Sequence, residues 1–208
     1  MPTITALNTH PYRKGRLRVE IDGTYAFELS RKAILAHHVV EKEQLSAERL
    51  HELQTVAARE AAISLLARRE RSRAELVTAL GRKSFPKPVI ETVLTKLQDE
   101  GMQSDTRFAE SWVNTRRRIA PRGRAALRYE LHQKGITETA VNHAVGKFSR
   151  DEEREALREL IESRLQRMAD PKADQAKIKN RLLGLLARRG FAYDDIAAVL
   201  REHFPDWA

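Results

Sequence analysis

The chain has 208 residues, of which 41% are hydrophobic, 6% aromatic and 32% charged, with a formal net charge of +9 and no cysteine. This composition reads as a helix-rich chain without a disulfide framework or thiolate metal site, as in a reducing cytoplasm, and no run of about 18 apolar residues marks a membrane span. Met1-Pro2-Thr3-Ile4 does not open a basic and then apolar leader, so no signal peptide is expected. The first thirty residues alternate. Leu17, Val19 and Ile21 interleave with Arg16, Arg18 and Glu20, Asp22-Gly23 supplies a tight turn, and Tyr25, Phe27 and Leu29 alternate again. That pattern predicts a hairpin, to which Ile4, Ala6 and Asn8 add a strand before the turn at Pro11 to Gly15. So small a sheet needs the helices that follow as a support.

Ser30 is placed to cap a short helix through Ile34 and Leu35, and Ser46 another containing Leu50 and Leu53. From Val56 to Arg69 the residues Ala58, Ala61, Ala62, Leu65 and Leu66 keep helical spacing. Ser72, with Glu75 three residues on, reads as a capping box that starts the next helix, and Val89 to Gln98 forms one more that stops at Gly101. Phe108, Trp112 and Thr115 share a face of a helix opening at Ser104 or Asp105, which Pro121 and Gly123 break; Trp112 is read as core. Asp151 to Met168 is a charged helix with Ala156, Leu160, Ile161 and Leu165 inward, ended by Asp170-Pro171. Lys177 to Arg189 and Asp194 to His203 follow, with Phe204 and Trp207 covering the end.

The segment Leu127 to Val145 recurs. Shifted back by 51 positions, Leu127, Leu131, Lys134, Gly135, Ile136, Val141 and Val145 fall on Leu76, Leu80, Lys83, Ser84, Phe85, Ile90 and Leu94; shifted forward by 55 they fall on Leu182, Leu186, Arg189, Gly190, Phe191, Ile196 and Leu200. A period near fifty residues is the signature of a repeat protein. The unit reads as helix, stop, helix: Gly135 takes the left-handed conformation, Ile136 packs back, and Thr137 or Thr139 caps a helix with Ala140, Val141, Ala144 and Val145 inward. The expected organisation is an N-terminal sheet with short helices over residues 1–54, then three helical repeats over 55–103, 104–148 and 149–208. The fold class is mainly α, with three tandem three-helix repeats in an elongated array.

No catalytic constellation stands out. The seven histidines form neither a His-Glu-x-x-His motif nor a spaced ligand cluster, and Gly81-Arg82-Lys83-Ser84 lacks the first glycine of a phosphate loop. The chain reads as a binding protein, not an enzyme, with no cofactor and no metal. Its charge is uneven: residues 104–148 carry 9 bases against 4 acids, whereas 149–208 carry 12 of each. Arg116, Arg117, Arg118, Arg122, Arg124, Arg128 and Lys134 have only Glu130 among them, a local field suited to nucleic acid or an acidic protein groove. Lys83 and Arg189, at the equivalent of Lys134, are additional basic candidates, although a base there also complements the helix dipole.

The stretches Leu66-Ala67-Arg68-Arg69-Glu70-Arg71-Ser72-Arg73-Ala74-Glu75-Leu76, Asp105-Thr106-Arg107-Phe108-Ala109, Glu130-Leu131-His132-Gln133-Lys134-Gly135-Ile136 and Ala187-Arg188-Arg189-Gly190-Phe191 closely resemble the bacterial recombination regulator RecX, over about residues 50 to 205. The resemblance implies a cytoplasmic monomer that binds the RecA recombinase filament on single-stranded DNA. It would restrain strand exchange, ATP hydrolysis and the co-protease activity behind the SOS response, and so regulate DNA repair. A direct contact with the DNA is expected from the basic repeat. The alternative is a basic helical-repeat module that binds DNA or RNA without a recombinase partner; a scaffold for some other protein would predict a more neutral surface.

Overall fold

The computed structural model describes residues 1–167 and 175–204, which fall into two compact units, Met1–Ser104 and Asp105–Ala208. In the first unit, β1 (Ile4–Thr9), β2 (Arg16–Ile21) and β3 (Thr24–Ser30) form an antiparallel sheet in that order. Asp22 and Gly23 make its turn with φ of 50° and 77°, as a type I′ turn requires. Leu17 lies opposite Leu29 and Val19 opposite Phe27, so alternation gathers the apolar residues on one face. That face shares a core with Leu53, Ala57, Ala58 and Ala62 of α2 (Ala47–Leu66).

Ser30 caps α1 (Arg31–Ala36) by accepting from the Ala33 N–H at 3.0 Å. The sequence suggested two helices between Ser46 and Arg69, but α2 is a single helix of 20 residues. Nothing between Leu53 and Val56 breaks a helix, and the buried positions 53, 57, 58 and 62 keep one stripe across the expected join. α3 (Arg73–Gly81) and α4 (Lys87–Asp99) complete the unit. Ser72 accepts from the Glu75 N–H at 3.1 Å, the capping bond its position implied.

The second unit holds α5 (Asp105–Ile119), α6 (Arg124–Gln133) and α7 (Glu138–Gly146), with Phe108, Val113, Leu127, Leu131, Ile136 and Val145 in their core. α8 (Arg150–Arg167), α9 (Gln175–Arg188) and α10 (Tyr193–His203) surround a further core of Leu157, Ile161, Leu182, Leu186, Phe191 and Ile196. Three details depart from the sequence reading. Thr137 stands at the N-cap of α7 without a side-chain capping bond. Asp194 lies inside the first turn of α10, after Ala192 at the N-cap. The buried stripe of α8 is Glu153, Leu157 and Ile161, with Ala156, Leu160 and Leu165 only half-buried; the inward face is turned toward Glu153, whose carboxylate is buried because it accepts from the Arg124 N–H of α6. Phe204 packs on the third core; Met168, Asp170-Pro171 and Trp207 lie outside the described residues.

The repeated motif is one hydrogen-bonded turn used three times. Phe85, Ile136 and Phe191 each donate their N–H to the carbonyl five residues back, on Leu80, Leu131 and Leu186, at 3.4, 3.1 and 3.3 Å. The residue just before each donor, Ser84, Gly135 or Gly190, has φ of 64°, 74° or 79°. This is the Schellman arrangement, in which a left-handed residue closes the helix and the apolar residue after it folds back onto the last turn. Ser84 holds this conformation with a Cβ. Ser84→Gly is expected to stabilise the chain by about 1 kcal/mol, read as a higher urea midpoint at unchanged m-value.

Candidate functional site

The basic run of the second repeat is dispersed by helix geometry. Successive residues of α5 project about 100° apart, so the triplet at its end addresses three surroundings. Arg116 turns to α6, where its Nε donates to Glu130 Oε2 at 2.8 Å, and its guanidinium lies 4.5 Å from the Trp112 ring centroid. Arg117 turns to α8, donating to Glu152 at 2.7 Å across the Phe148 ring. Arg118 is exposed and makes no hydrogen bond or ion pair among the described residues.

Glu130, the lone acid of the run, is its organising centre. The same Oε2 accepts from Trp112 Nε1 at 2.8 Å, and Oε1 lies 3.4 Å from Arg122 Nε, an ion pair without hydrogen-bond geometry. Lys134 Nζ sits 5.0 Å from the Trp112 ring. Trp112 is therefore half-buried, stacked on Phe108 at 5.9 Å and faced by two cations, more than the core residue its spacing implied. Cations over an indole gain about 0.5 to 1 kcal/mol at such partly exposed positions. Arg128 is held by Asn142 and Glu138 of α7.

Arg122 and Arg124 are positioned by close backbone contact between the second and third repeats. The Gly123 N–H donates to the Arg189 carbonyl at 2.9 Å, and a Cβ on Gly123 would stand 2.1 Å from the Gly190 carbonyl oxygen. Gly190, for its part, would drive a Cβ to 2.3 Å from the Ala126 nitrogen. With no side chain at 123, α6 is capped from elsewhere: the Arg124 N–H donates to Glu153 Oε1 at 2.8 Å. Burial holds the Glu153 carboxyl above the ordinary carboxylate value, opposed by this bond. The Arg124 side chain makes no hydrogen bond or ion pair among the described residues, although its charge helps to lower the Glu153 carboxyl pKa. Arg189, next to this contact, has its guanidinium pKa lowered by burial and by Arg164 and Arg122 nearby. Lys83 belongs to the other unit. Thus Arg116, Arg122 and Lys134 come together around Trp112 and Glu130, Arg189 joins Arg122, and Arg117 and Arg128 are engaged by acidic neighbours.

Three family models match the chain: the first three-helix domain of RecX over residues 58–97, the second over 104–145 and the third over 151–200. The chain belongs to the RecX family. It is 37% identical over 136 residues to the regulatory protein RecX of Mycobacterium tuberculosis (strain ATCC 25618 / H37Rv), a match spanning 64% of this chain and 78% of that one. The regulatory protein RecX of Amycolatopsis mediterranei (strain U-32) is 39% identical over 150 residues, 70% of this chain and 85% of that one. A crystal structure of a regulatory protein RecX, 22% identical, matches 96% of this chain and 98% of its own with a TM-score of 0.61. The crystal structure of RecX from Lactobacillus salivarius, 23% identical, matches 72% of this chain and 96% of its own with a TM-score of 0.63. The three-repeat fold is therefore the RecX fold, and its relatives are named as regulatory proteins. Among the described residues no cluster of metal-ligating side chains occurs, and no helix is long and apolar enough to cross a membrane.

The cap that Glu153 provides has a measurable signature. Glu153→Ala leaves the Arg124 N–H without its acceptor and is expected to lower stability by about 1 to 3 kcal/mol, whereas Glu153→Gln keeps an acceptor oxygen and loses less. Because the folded-state pKa is raised, the unfolded chain ionises first as pH rises, so the Glu153 contribution is greatest at low pH and declines as pH rises from the ordinary carboxylate value through the raised one. Thermal melts of the native chain and Glu153→Gln should accordingly separate further in favour of the native chain as the pH is lowered through that window.

Proposed function

We propose that this chain regulates homologous recombination by binding the RecA filament on single-stranded DNA, as a cytoplasmic monomer, and restraining its ATPase, strand-exchange and co-protease activities. Membership of the RecX family supports a regulatory role. The observation that carries the surface is the cation set of the second repeat, arranged around Trp112 and Glu130, with Arg118 and Arg124 making no hydrogen bond or ion pair among the described residues. Anchored cations present a fixed positive field at little further ordering cost, while unpartnered ones are available to phosphates or to acidic residues of a filament groove. The boundaries we assign to the four segments, 1–54, 55–103, 104–148 and 149–208, place this set in one repeat.

A second reading, direct binding of DNA or RNA without a recombinase, draws on the same cations and on the half-exposed Trp112. Titrating the chain into RecA on single-stranded DNA, with ATP hydrolysis and co-sedimentation as readouts, separates the two. Inhibition with co-pelleting supports the filament reading; its absence, with salt-sensitive binding to bare DNA, supports the second.

Charge reversal sharpens the residue assignment. Since Arg116 and Arg117 also hold helices together, Arg118→Glu with Arg124→Glu is the cleaner change: stability should stay within about 0.5 kcal/mol of the native value while filament inhibition weakens several-fold. Unaltered ATPase inhibition by that variant would exclude these two residues from the contact.

A further inference from the structure

The first unit contains a second basic surface. A cleft between the outer edge of the sheet and α2 is lined by Arg13, Arg16, Tyr25, Glu28, Arg68 and Lys83. These positions come from the β1–β2 turn, two strands, the end of α2 and the turn after α3, and sequence distance conceals their meeting. Its floor is apolar and low, made in part by Ala57 and Ala61 of α2 and by Phe85.

The charges here are unequal. Glu28 is the single acid of the lining and is already engaged, lying 3.4 Å from His10 Nε2, 3.1 Å from Arg13 and 3.4 Å from Arg16. Arg16 turns also to Glu60 at 3.2 Å. Arg68 and Lys83 make no hydrogen bond or ion pair among the described residues, so positive charge is left in excess across the mouth. Tyr25 stands within it, 42% exposed, with the Arg18 guanidinium 4.9 Å from its ring centroid. One side of the ring thus carries a cation and the ring remains open to solvent.

We infer that this cleft binds single-stranded nucleic acid, with Arg68 and Lys83 on backbone phosphates and Tyr25 as a stacking platform for a base. Excess cations alone would suit any polyanion. The exposed ring backed by a guanidinium and the low alanine floor select a ligand that offers both phosphates and the flat faces of unpaired bases. A duplex keeps those faces stacked inside, and an acidic protein surface would satisfy the cations without using the ring. The inference rests on the first unit and not on the filament reading, and its assay contains no RecA, so the two can fail separately.

The test is fluorescence anisotropy of a labelled oligothymidylate and of a duplex of equal length across a salt series. The full-length chain carries Arg118→Glu and Arg124→Glu to silence the second repeat, and circular dichroism melts verify the fold. Adding Arg68→Glu and Lys83→Glu should weaken oligothymidylate binding at least about tenfold and reduce the slope of log K against log salt by about 1.4, from roughly 0.7 per phosphate contact. Tyr25→Ala should weaken it about fivefold or more, Tyr25→Phe should restore it, and neither should alter duplex binding. Unchanged affinity in both sets would overturn the inference. So would loss of binding on charge reversal with Tyr25→Ala neutral, an outcome that leaves a purely electrostatic contact open to any polyanion and removes the stacking on which the choice of unpaired bases rests.

Discussion

Everything in this fold depends on a short turn in which a leucine carbonyl receives the N–H of an apolar residue five positions on. Helices of 9 to 14 residues such as α3, α6 and α9 are marginal alone, because nucleation fixes several dihedral angles for one hydrogen bond. The turn reverses the chain at once and puts Phe85, Ile136 or Phe191 into the core with the leucine that closed the helix. Capping and burial are therefore the same event, and the next helix begins already in contact with its partner. Each repeat can then hold a small core of its own, the economy that lets a chain of this length dispense with a single large interior.

Upon that frame the positive charges divide into two kinds. Arg116, Arg117, Arg122 and Arg128 are fastened by Glu130, Glu152 and Glu138. They contribute modestly to stability, since partly exposed ion pairs are each worth less than about 1 kcal/mol. Among the described residues Arg118, Arg124, Arg68 and Lys83 have no such ion pairs. The fastened cations set the direction of the field and keep side chains extended. The unfastened ones carry no such constraint, and in the contacts proposed for them a polyanion would replace the water around them. A surface built this way depends steeply on ionic strength, because its strongest contributors are also its most screened.

Much of the fold was legible because its determinants are local. Leu131, Gly135 and Ile136 span six residues, Asp22-Gly23 two, and Ser72 with Glu75 four, so the chain announces these features without tertiary information. The continuity of α2 was obscured at Val56, where the apolar spacing was read as a fresh start although Ser46 caps one helix whose buried stripe runs on from Leu53 to Ala62. The site was harder to read for a different reason. Arg116, Arg117 and Arg118 are adjacent in sequence and separated in space, while Arg117 meets Glu152 and the Arg124 backbone meets Glu153 from 35 and 29 residues away. The cleft around Tyr25 gathers residues 13 to 85 and left no periodic trace. Trp112 had a visible cue in Arg116 four residues later, a spacing that places a cation over an indole on one helix face.

The junction between the second and third repeats makes the copies unequal in a way their shared pattern hides. Ser72 and Gly123 are the same position under the 51-residue shift, yet Ser72 caps its own helix and Gly123 relies on Glu153 from the following repeat. A helix that needs its neighbour's carboxylate to begin cannot be moved to another place in the array. The order of the repeats is thereby encoded in their chemistry: the second copy is incomplete unless the third stands behind it, and duplication or transposition of either would leave the Arg124 amide uncapped or the buried Glu153 carboxyl without its donor.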